Sequence, residues 1–423
     1  MVKIILDGAV LQGVYAVTVI LSLAFQVLIG NIFGVGEELA YFFLINAVTN
    51  MGVIIFSDYV QLTLIHNVTL IQVAPRFLGK FGVLVSRNLS VLLILAIVCL
   101  MISIAITLGT DLLAHRVDKW IMPLALTLAA MCSMISSMIL LVEQLSGRVA
   151  LPTLVHPLAP IASIGSVIIL ESYGASLALP AAMVIGGILQ IAYLLAVCSS
   201  SVRSGLMRGV VFFVFGSTIK RHYQAFLELF VSKRLMFSGL FPFLQLVERY
   251  LFSVLSAPLV AASAYAWSFA MALYSVSQKG FVFFAAVEER TQREASIGRR
   301  MRILLMASLI TLFVWVIFVL IIRSDVEGVI SPIRELFSKL GSNQLYVMAI
   351  PFLVPWIAFV SFFSRIKRCQ SISSWTIAAP VLASFVGVMF VLVTDVLLIQ
   401  FVFLVAGLSW ITIRMFALFK MES

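Results

Sequence analysis

Twelve runs of apolar residues, each long enough to cross a bilayer as a helix, alternate along this chain with short polar segments. They cover residues 8–32, 39–64, 89–110, 120–142, 151–171, 177–198, 235–257, 259–286, 302–323, 345–364, 375–393 and 396–417. Pro152, Pro157, Pro160 and Pro180 fall at or near the ends of the fifth and sixth runs. No segment between runs is long enough for a separate soluble core, so the pattern predicts an all-α integral membrane protein of about twelve transmembrane helices. The first run, about 25 residues with no small-residue cleavage site after it, is expected to be a retained helix rather than a signal peptide.

The longest polar interruption, 199–234, leaves six runs on either side. It divides the chain into an N-terminal six-helix lobe over 1–198, a linker over 199–234 and a C-terminal six-helix lobe over 235–423. The linker mixes Arg203, Arg208, Lys220, Arg221, Lys233 and Arg234 with apolar Val210–Phe215 and Phe226–Phe230. That mixture reads as an amphipathic helix on the cytoplasmic leaflet. An even number of runs per half sends both halves into the membrane from the same side, as parallel repeats about an axis along the membrane normal. A faint echo joins Glu38-Leu-Ala-Tyr-Phe-Phe in the first half to Ala262-Ser-Ala-Tyr-Ala-Trp in the second.

Composition agrees with this picture: 62% of residues are hydrophobic and 11% are charged. The mean hydropathy is +1.16, and a soluble fold with that balance would lack polar surface. The net charge of +10 is unevenly placed. Of the 28 Lys/Arg, only Arg116, Lys119, Arg323, Arg334 and Lys339 fall in the segments on one side; Arg249 and Lys279 lie within runs, and the rest fall on the other side. Because Lys and Arg in short loops set orientation, both termini are expected in the cytoplasm. Basic inner loops against anionic headgroups account for the charge, and no nucleic acid is called for. Cys99, Cys132 and Cys198 lie in apolar runs and Cys369 in an inner loop, so neither a disulfide nor a thiolate metal site is expected.

Ionisable groups inside the runs carry the candidate chemistry, because a charge at the bilayer centre costs roughly 2.5–3.5 kcal/mol on insertion scales. Glu248 and Arg249 stand near the middle of the seventh run. Adjacent helical residues point about 100° apart, so they do not face each other, and each needs its own partner or a wet cavity. Gln245 shares the face of Glu248. Asp58, with Ser57 and Gln61 nearby, lies towards the inner end of the second run. Lys279, beside Gln278, lies roughly two turns from the inner end of the eighth, within snorkelling distance of headgroups. Asn46 and Asn50 on one face of the second run, and Gln26 in the first, add hydrogen-bonding capacity or serve as interhelical glue. There is no Walker loop, no Gly-x-Ser-x-Gly and no His-x-x-x-His, so neither an ATP site of that kind nor an enzyme is expected.

The stretch from Leu23 through Gly30-Asn-Ile-Phe33-Gly34-Val35-Gly36 to Glu38-Leu-Ala-Tyr-Phe-Phe43 resembles the first hairpin of the MurJ/MviN family. Ser263-Ala-Tyr-Ala-Trp-Ser through Arg290 resembles the matching helix of the second half, and Val329–Phe337 is similar to an outer segment of that family. The resemblance implies the multidrug/oligosaccharidyl-lipid/polysaccharide (MOP) exporter superfamily: two six-helix bundles in a V, flipping a lipid-linked sugar across a bacterial inner membrane. Where lipid II flippases place cavity arginines, this chain has Val19, Phe25, Val53 and Ile54. Ala40 and Trp267-Ser268 also replace charged family positions, while Asp58 falls where the family has a glutamate. Twelve runs with no further pair suit the polysaccharide-repeat (Wzx-like) flippases better.

The resulting expectation is an alternating-access flippase for a polyprenyl-pyrophosphate-linked sugar. Arg249 and Lys279 would hold phosphate, Gln26, Asn46, Asn50, Gln245 and Gln278 would meet sugar hydroxyls, and Asp58 and Glu248 would act as coupling or gating carboxylates. No cofactor is implied; an H⁺ or Na⁺ gradient or the membrane potential would drive the cycle, with membrane lipids and a polymerase or glycosyltransferase complex as partners. Two rivals stay open: a MATE-like antiporter of organic cations, for which Asp58 and Glu248 supply acidity, and a non-transporting scaffold of a polysaccharide-synthesis complex.

Overall fold

A computed structural model describes residues 2–66, 78–110, 112, 117–146, 148, 150–216, 227, 233–275, 297–323, 331–364, 374–394 and 396–422. Every regular element among them is helical. The long N-terminal helices are α1 (Val2–Phe33), α2 (Glu37–His66), α3 (Leu78–Gly109), α4 (Ile121–Leu145), α5 (Val155–Leu170) and α6 (Ala175–Val197). Then come α7 (Ser200–Gly216), α8 (Lys233–Ser253), α9 (Ala257–Tyr274) and α10 (Ile297–Arg323). The remainder are α11 (Ser331–Lys339), α12 (Gln344–Ala349), α13 (Val354–Ser364), α14 (Ser374–Thr394) and α15 (Leu398–Glu422).

Helix is the outcome that apolar surroundings impose, since it satisfies every backbone group within one segment. Nine helices among the described residues are long and apolar enough to cross a membrane, and Met306–Ile322 and Ala378–Thr394 are shorter apolar helices. The expected run over 235–257 is α8, which carries Glu248 and Arg249. Faces bearing Leu108, Ile169, Phe313 and Val393 are exposed, the arrangement of a multi-pass membrane protein whose solvent is lipid.

Breaks between helices follow local chemistry. Gly34, at φ 72°, lies just past the end of α1 and donates its N–H to the Gly30 carbonyl at 3.1 Å. That left-handed cap suits glycine and turns the chain directly into α2. Pro351 sits in a 3-10 turn, Ile350–Leu353, between α12 and α13, where its missing N–H interrupts the α-helical ladder.

The chain folds as two compact units. The first comprises residues 1–14, 48–109 and 116–239; the second comprises 15–47, 110–115 and 240–423. In the first, α6 packs on α4 and α5, and α7 packs on α3. Small residues allow the close approach: a Cβ on Gly187 would meet Cys132 Cβ at 2.7 Å, and one on Gly209 would strike the Val85 side chain. Of the linker segment, expected to form an amphipathic helix, α7 is the longest described part; it buries Val202, Leu206 and Gly209 and exposes Arg203 and Arg208.

The second unit holds most of α1, the start of α2, and everything from Leu240 onward. There α14 and α15 form an antiparallel pair, and α9 packs against α12, the 3-10 turn and α13. Phe269, Trp315, Phe318 and Phe337 build an aromatic cluster, with the Trp315 indole donating to the Met348 carbonyl at 3.0 Å. α2 is one continuous helix, yet its first eleven residues (37–47) belong to the second unit and the rest to the first.

Candidate functional site

Glu248 is completely buried within the second unit. Ser263 and Trp267, one turn apart on α9, present hydroxyl and indole donors to its Oε1, at 2.5 and 3.3 Å. Gln400 on α15 donates through Nε2 to Glu248 Oε2 at 3.2 Å and to Ser384 Oγ of α14 at 2.8 Å. Gly387 makes room for that amide, since a Cβ there would strike Gln400 Oε1. The Tyr346 hydroxyl of α12 lies beside the same carboxylate without meeting strict hydrogen-bond geometry. Donors from α9 and α15 thus converge on one carboxylate, which offsets the cost of removing it from water.

Arg249 is 5% exposed, and its Nη1 donates to the Phe43 carbonyl of α2 at 3.1 Å. Its Nε is buried with no hydrogen-bond partner. No direct ion pair joins it to Glu248, as the 100° offset of adjacent helical residues requires. Reading the sequence placed both charges at a water-accessible cavity; in this conformation both are sealed in helix packing, because neighbouring helices supply their partners. Arg249 therefore does not stand open to a phosphate here.

The open polar surface lies elsewhere. α2 is buried on nearly every side, with Tyr41, Leu44, Ile45, Val48, Phe56, Tyr59 and Val60 all enclosed. Its remaining face is sealed at Leu39 and Phe43, partly open at Asn46, exposed at Asn50, and partly open at Val53, Ile54, Ser57, Asp58 and Gln61. α1 is far less enclosed, but one of its faces also opens along the helix. The face closed by Phe25 and Ile29 is partly open at Gln26, exposed at Ser22 and partly open at Thr18 and Tyr15, while Val17 and Ile20 stand exposed on another face. Gln26 Oε1 is buried without a partner. On α8, Gln245 is half-buried between the enclosed Phe241 and Glu248. Ser22 and Asn50 are the exposed polar positions on these faces, and a hydroxyl or amide left against hydrocarbon is costly, so they call for water or a polar ligand.

Among the expected site residues, Gln26, Asn46, Asn50, Asp58 and Gln245 thus lie on partly or fully open helix faces, and Glu248 and Arg249 on packed ones. Gln278 and Lys279 lie outside the described residues. Sequence reasoning did not single out Ser22, which completes the polar stripe of α1. Nor did it find Ser263, Trp267, Tyr346, Ser384 and Gln400, whose residue types are ordinary in any core. It also passed over Glu143, fully buried at the end of α4. The Glu143 carboxylate accepts the Ser199 N–H at 2.7 Å and its hydroxyl at 3.1 Å, and pairs with Arg148 at 3.4 Å, tying α4 to the start of α7. No group of His, Cys, Asp and Glu suited to a metal ion occurs among the described residues.

No protein-family model and no curated protein matches this chain. Solved structures do. One is a transporter from Pyrococcus furiosus Vc1, titled "Reverse polarity of binding pocket suggests different function of a MOP superfamily transporter". It is 14% identical over 97% of this chain and 96% of its own, with a TM-score of 0.53. Another, "Crystal structure of MATE in the bent conformation", is 12% identical over 99% of this chain and 96% of its own, with a TM-score of 0.47. At such identity the likeness to the Pyrococcus protein shows a shared fold and nothing finer.

Proposed function

We propose that this protein is a secondary transporter that moves a polyprenyl-linked saccharide from the inner to the outer leaflet of a bacterial cytoplasmic membrane by alternating access. The observation that carries the reading is the open face of α2. An otherwise enclosed membrane helix leaves one side uncovered, and that side carries Asn46, Asn50, Ser57, Asp58 and Gln61. With both termini in the cytoplasm, the uncovered part is the inner half and the sealed part, around Leu39 and Phe43, the outer half. α1, which is open on more than one face, carries Tyr15, Thr18, Ser22 and Gln26 along one of them. These side chains donate and accept neutral hydrogen bonds, which suits hydroxyl-rich cargo. Asp58 is the one charge on them.

In this reading the saccharide meets amides and hydroxyls while the prenyl tail stays in lipid. Lys279 supplies positive charge for phosphate, and Glu248 is the carboxylate whose protonation or ion occupancy changes the packing of α8 on α9 and α15. One charge crossing 100 mV supplies about 2.3 kcal/mol, enough to bias a two-state equilibrium substantially. The protein reconstituted in liposomes should move a fluorescent polyprenyl-pyrophosphate disaccharide away from an external lectin when a proton or sodium gradient or a membrane potential is imposed. Asn50→Leu should slow that movement about tenfold, the scale of one lost charge-assisted or polar contact. Glu248→Gln should leave movement that no longer responds to the gradient. If the saccharide stays in place while an organic cation such as ethidium is exchanged for protons, the antiporter reading replaces this one, with Asp58 as the cation's partner.

A further inference from the structure

From the contacts that hold residues 15–47 within the second unit, we infer that Arg249 and α11 form a latch closing the outer gate. This rests on the transporter reading for its purpose, but the contacts stand independently of it. Three fastenings hold the end of α1 and the first turns of α2. The first is the buried Arg249 guanidinium on the Phe43 carbonyl, 3.1 Å away. Because that carbonyl is part of α2's own helical ladder, the arginine takes its second lone pair and needs no side chain from α2. Phe43 in turn meets Tyr265 of α9 edge to face, with ring centroids 5.3 Å apart.

The second fastening is steric. At Gly30, near the end of α1, an added Cβ would lie 2.5 Å from both Leu336 Cδ1 of α11 and the Tyr265 hydroxyl. A larger side chain there would press on the free ends of Leu336 and Tyr265, so glycine suits the close packing of α9 and α11 on α1. The third caps the helix end: Lys339 Nζ donates to the Asn31 carbonyl at 3.3 Å, and Asn31 Nδ2 donates to the Pro332 carbonyl at 3.4 Å. A cation at the C-terminal end of α1 also complements the helix dipole. Lys339 is itself braced by Glu335 one turn earlier, at 3.0 Å.

α11 is short and amphipathic, burying Leu336 and Phe337 and exposing Ser331, Pro332, Glu335 and Ser338. It forms a clip rather than a span, in a segment expected on the outer side. Opening the outer path requires residues 15–47 to leave α8, α9 and α11, and so to break all three fastenings. Arg249 holds the deepest of them and the Lys339–Asn31 pair the most exposed.

The test uses full-length protein in right-side-out vesicles with a cysteine placed at Ala40, a fully buried position one turn from Phe43. A membrane-impermeant maleimide is applied from outside, and labelling is read above that of the parent with only its native cysteines. Arg249→Met, which keeps volume and loses the donors, should raise Ala40→Cys labelling about tenfold, the factor expected for one buried charged hydrogen bond. Arg249→Lys should fall between the two. Lys339→Ala, at an exposed rim where folding is not at stake, should raise it about twofold. Cross-linking Gly30→Cys to Leu336→Cys should return labelling to background and stop transport until a reductant is added. Labelling unchanged in both Arg249→Met and Lys339→Ala overturns the latch, as does a cross-linked protein that still transports. Raised labelling in a protein that moves no saccharide leaves the latch standing and removes the cargo assignment instead.

Discussion

At the residue scale, Glu248 and Arg249 show how two adjacent charges occupy an apolar helix by serving different neighbours. The carboxylate collects donors from Ser263, Trp267 and Gln400, and the guanidinium spends one on a backbone carbonyl. Removing the carboxylate strands three donors at once, whereas an amide keeps shape and partial acceptor capacity. Glu248→Ala should therefore destabilise the protein by roughly 3 kcal/mol or more, and Glu248→Gln by about half that or less, because each buried group left unpaired costs about 1–3 kcal/mol. Thermal unfolding of the detergent-solubilised protein at fixed detergent concentration measures both; equal losses would mean the donors do not depend on the carboxylate. The pair itself was legible in the sequence, since ionisable residues stand out in an apolar run. Their partners were not. Ser263, Trp267, Ser384 and Gln400 are separated from Glu248 by 15 to 152 positions, and nothing in periodicity reports which helix a side chain will meet.

At the element scale, the helices were largely readable because lipid permits little else. All twelve expected runs coincide with helices at least in part, and α1 and α3 begin well before the apolar stretch, α3 at Leu78 rather than 89. Periodicity also paired Asn46 with Asn50. It did not mark Ser22 or distinguish an open polar face from interhelical glue, because that depends on what a neighbouring helix leaves uncovered. Glycines in the first unit act at this scale too. Gly209 sits so close to Val85 and the Gly82 carbonyl that any side chain there must push α7 off α3. Gly209→Leu should make α7 itself several-fold more susceptible to limited proteolysis while leaving α3 in place; overpacking of this kind typically costs about 1–3 kcal/mol. Unchanged cleavage would show that the Glu143–Ser199 tie alone holds α7.

At the scale of the whole molecule, charge bias and aromatic anchors make the orientation testable. Lys119 lies over the Trp120 ring at 5.5 Å and Arg414 over the Trp410 ring at 4.6 Å, cation–aromatic pairings of the kind favoured at headgroup depth. If the bias of Lys and Arg sets topology, a cysteine at Ser338 on α11 should react with an impermeant maleimide in intact cells, and one at Arg203 on α7 only after permeabilisation. The reverse pattern would invert the assignment of inner and outer faces throughout. What the sequence did not disclose at this scale is that residues 15–47 pack with the C-terminal half of the chain. Chain order suggests that six consecutive helices keep company, but the side chains that bind Gly30, Asn31 and Phe43 come from positions 249 to 339.

The unbroken course of α2 through both units has a further consequence. A helix advances about 100° with each residue, so one amino acid inserted near Ala47 would swing everything downstream by that angle. Thr49 would take the exposed place of Asn50, Phe56 the partly open place of Ser57, and Asp58 the buried place of Tyr59, while the portion up to Phe43 stayed put. A change of length in the middle of α2 thus reaches further than any single substitution there, and epitope tags or spacer residues belong in the connections instead.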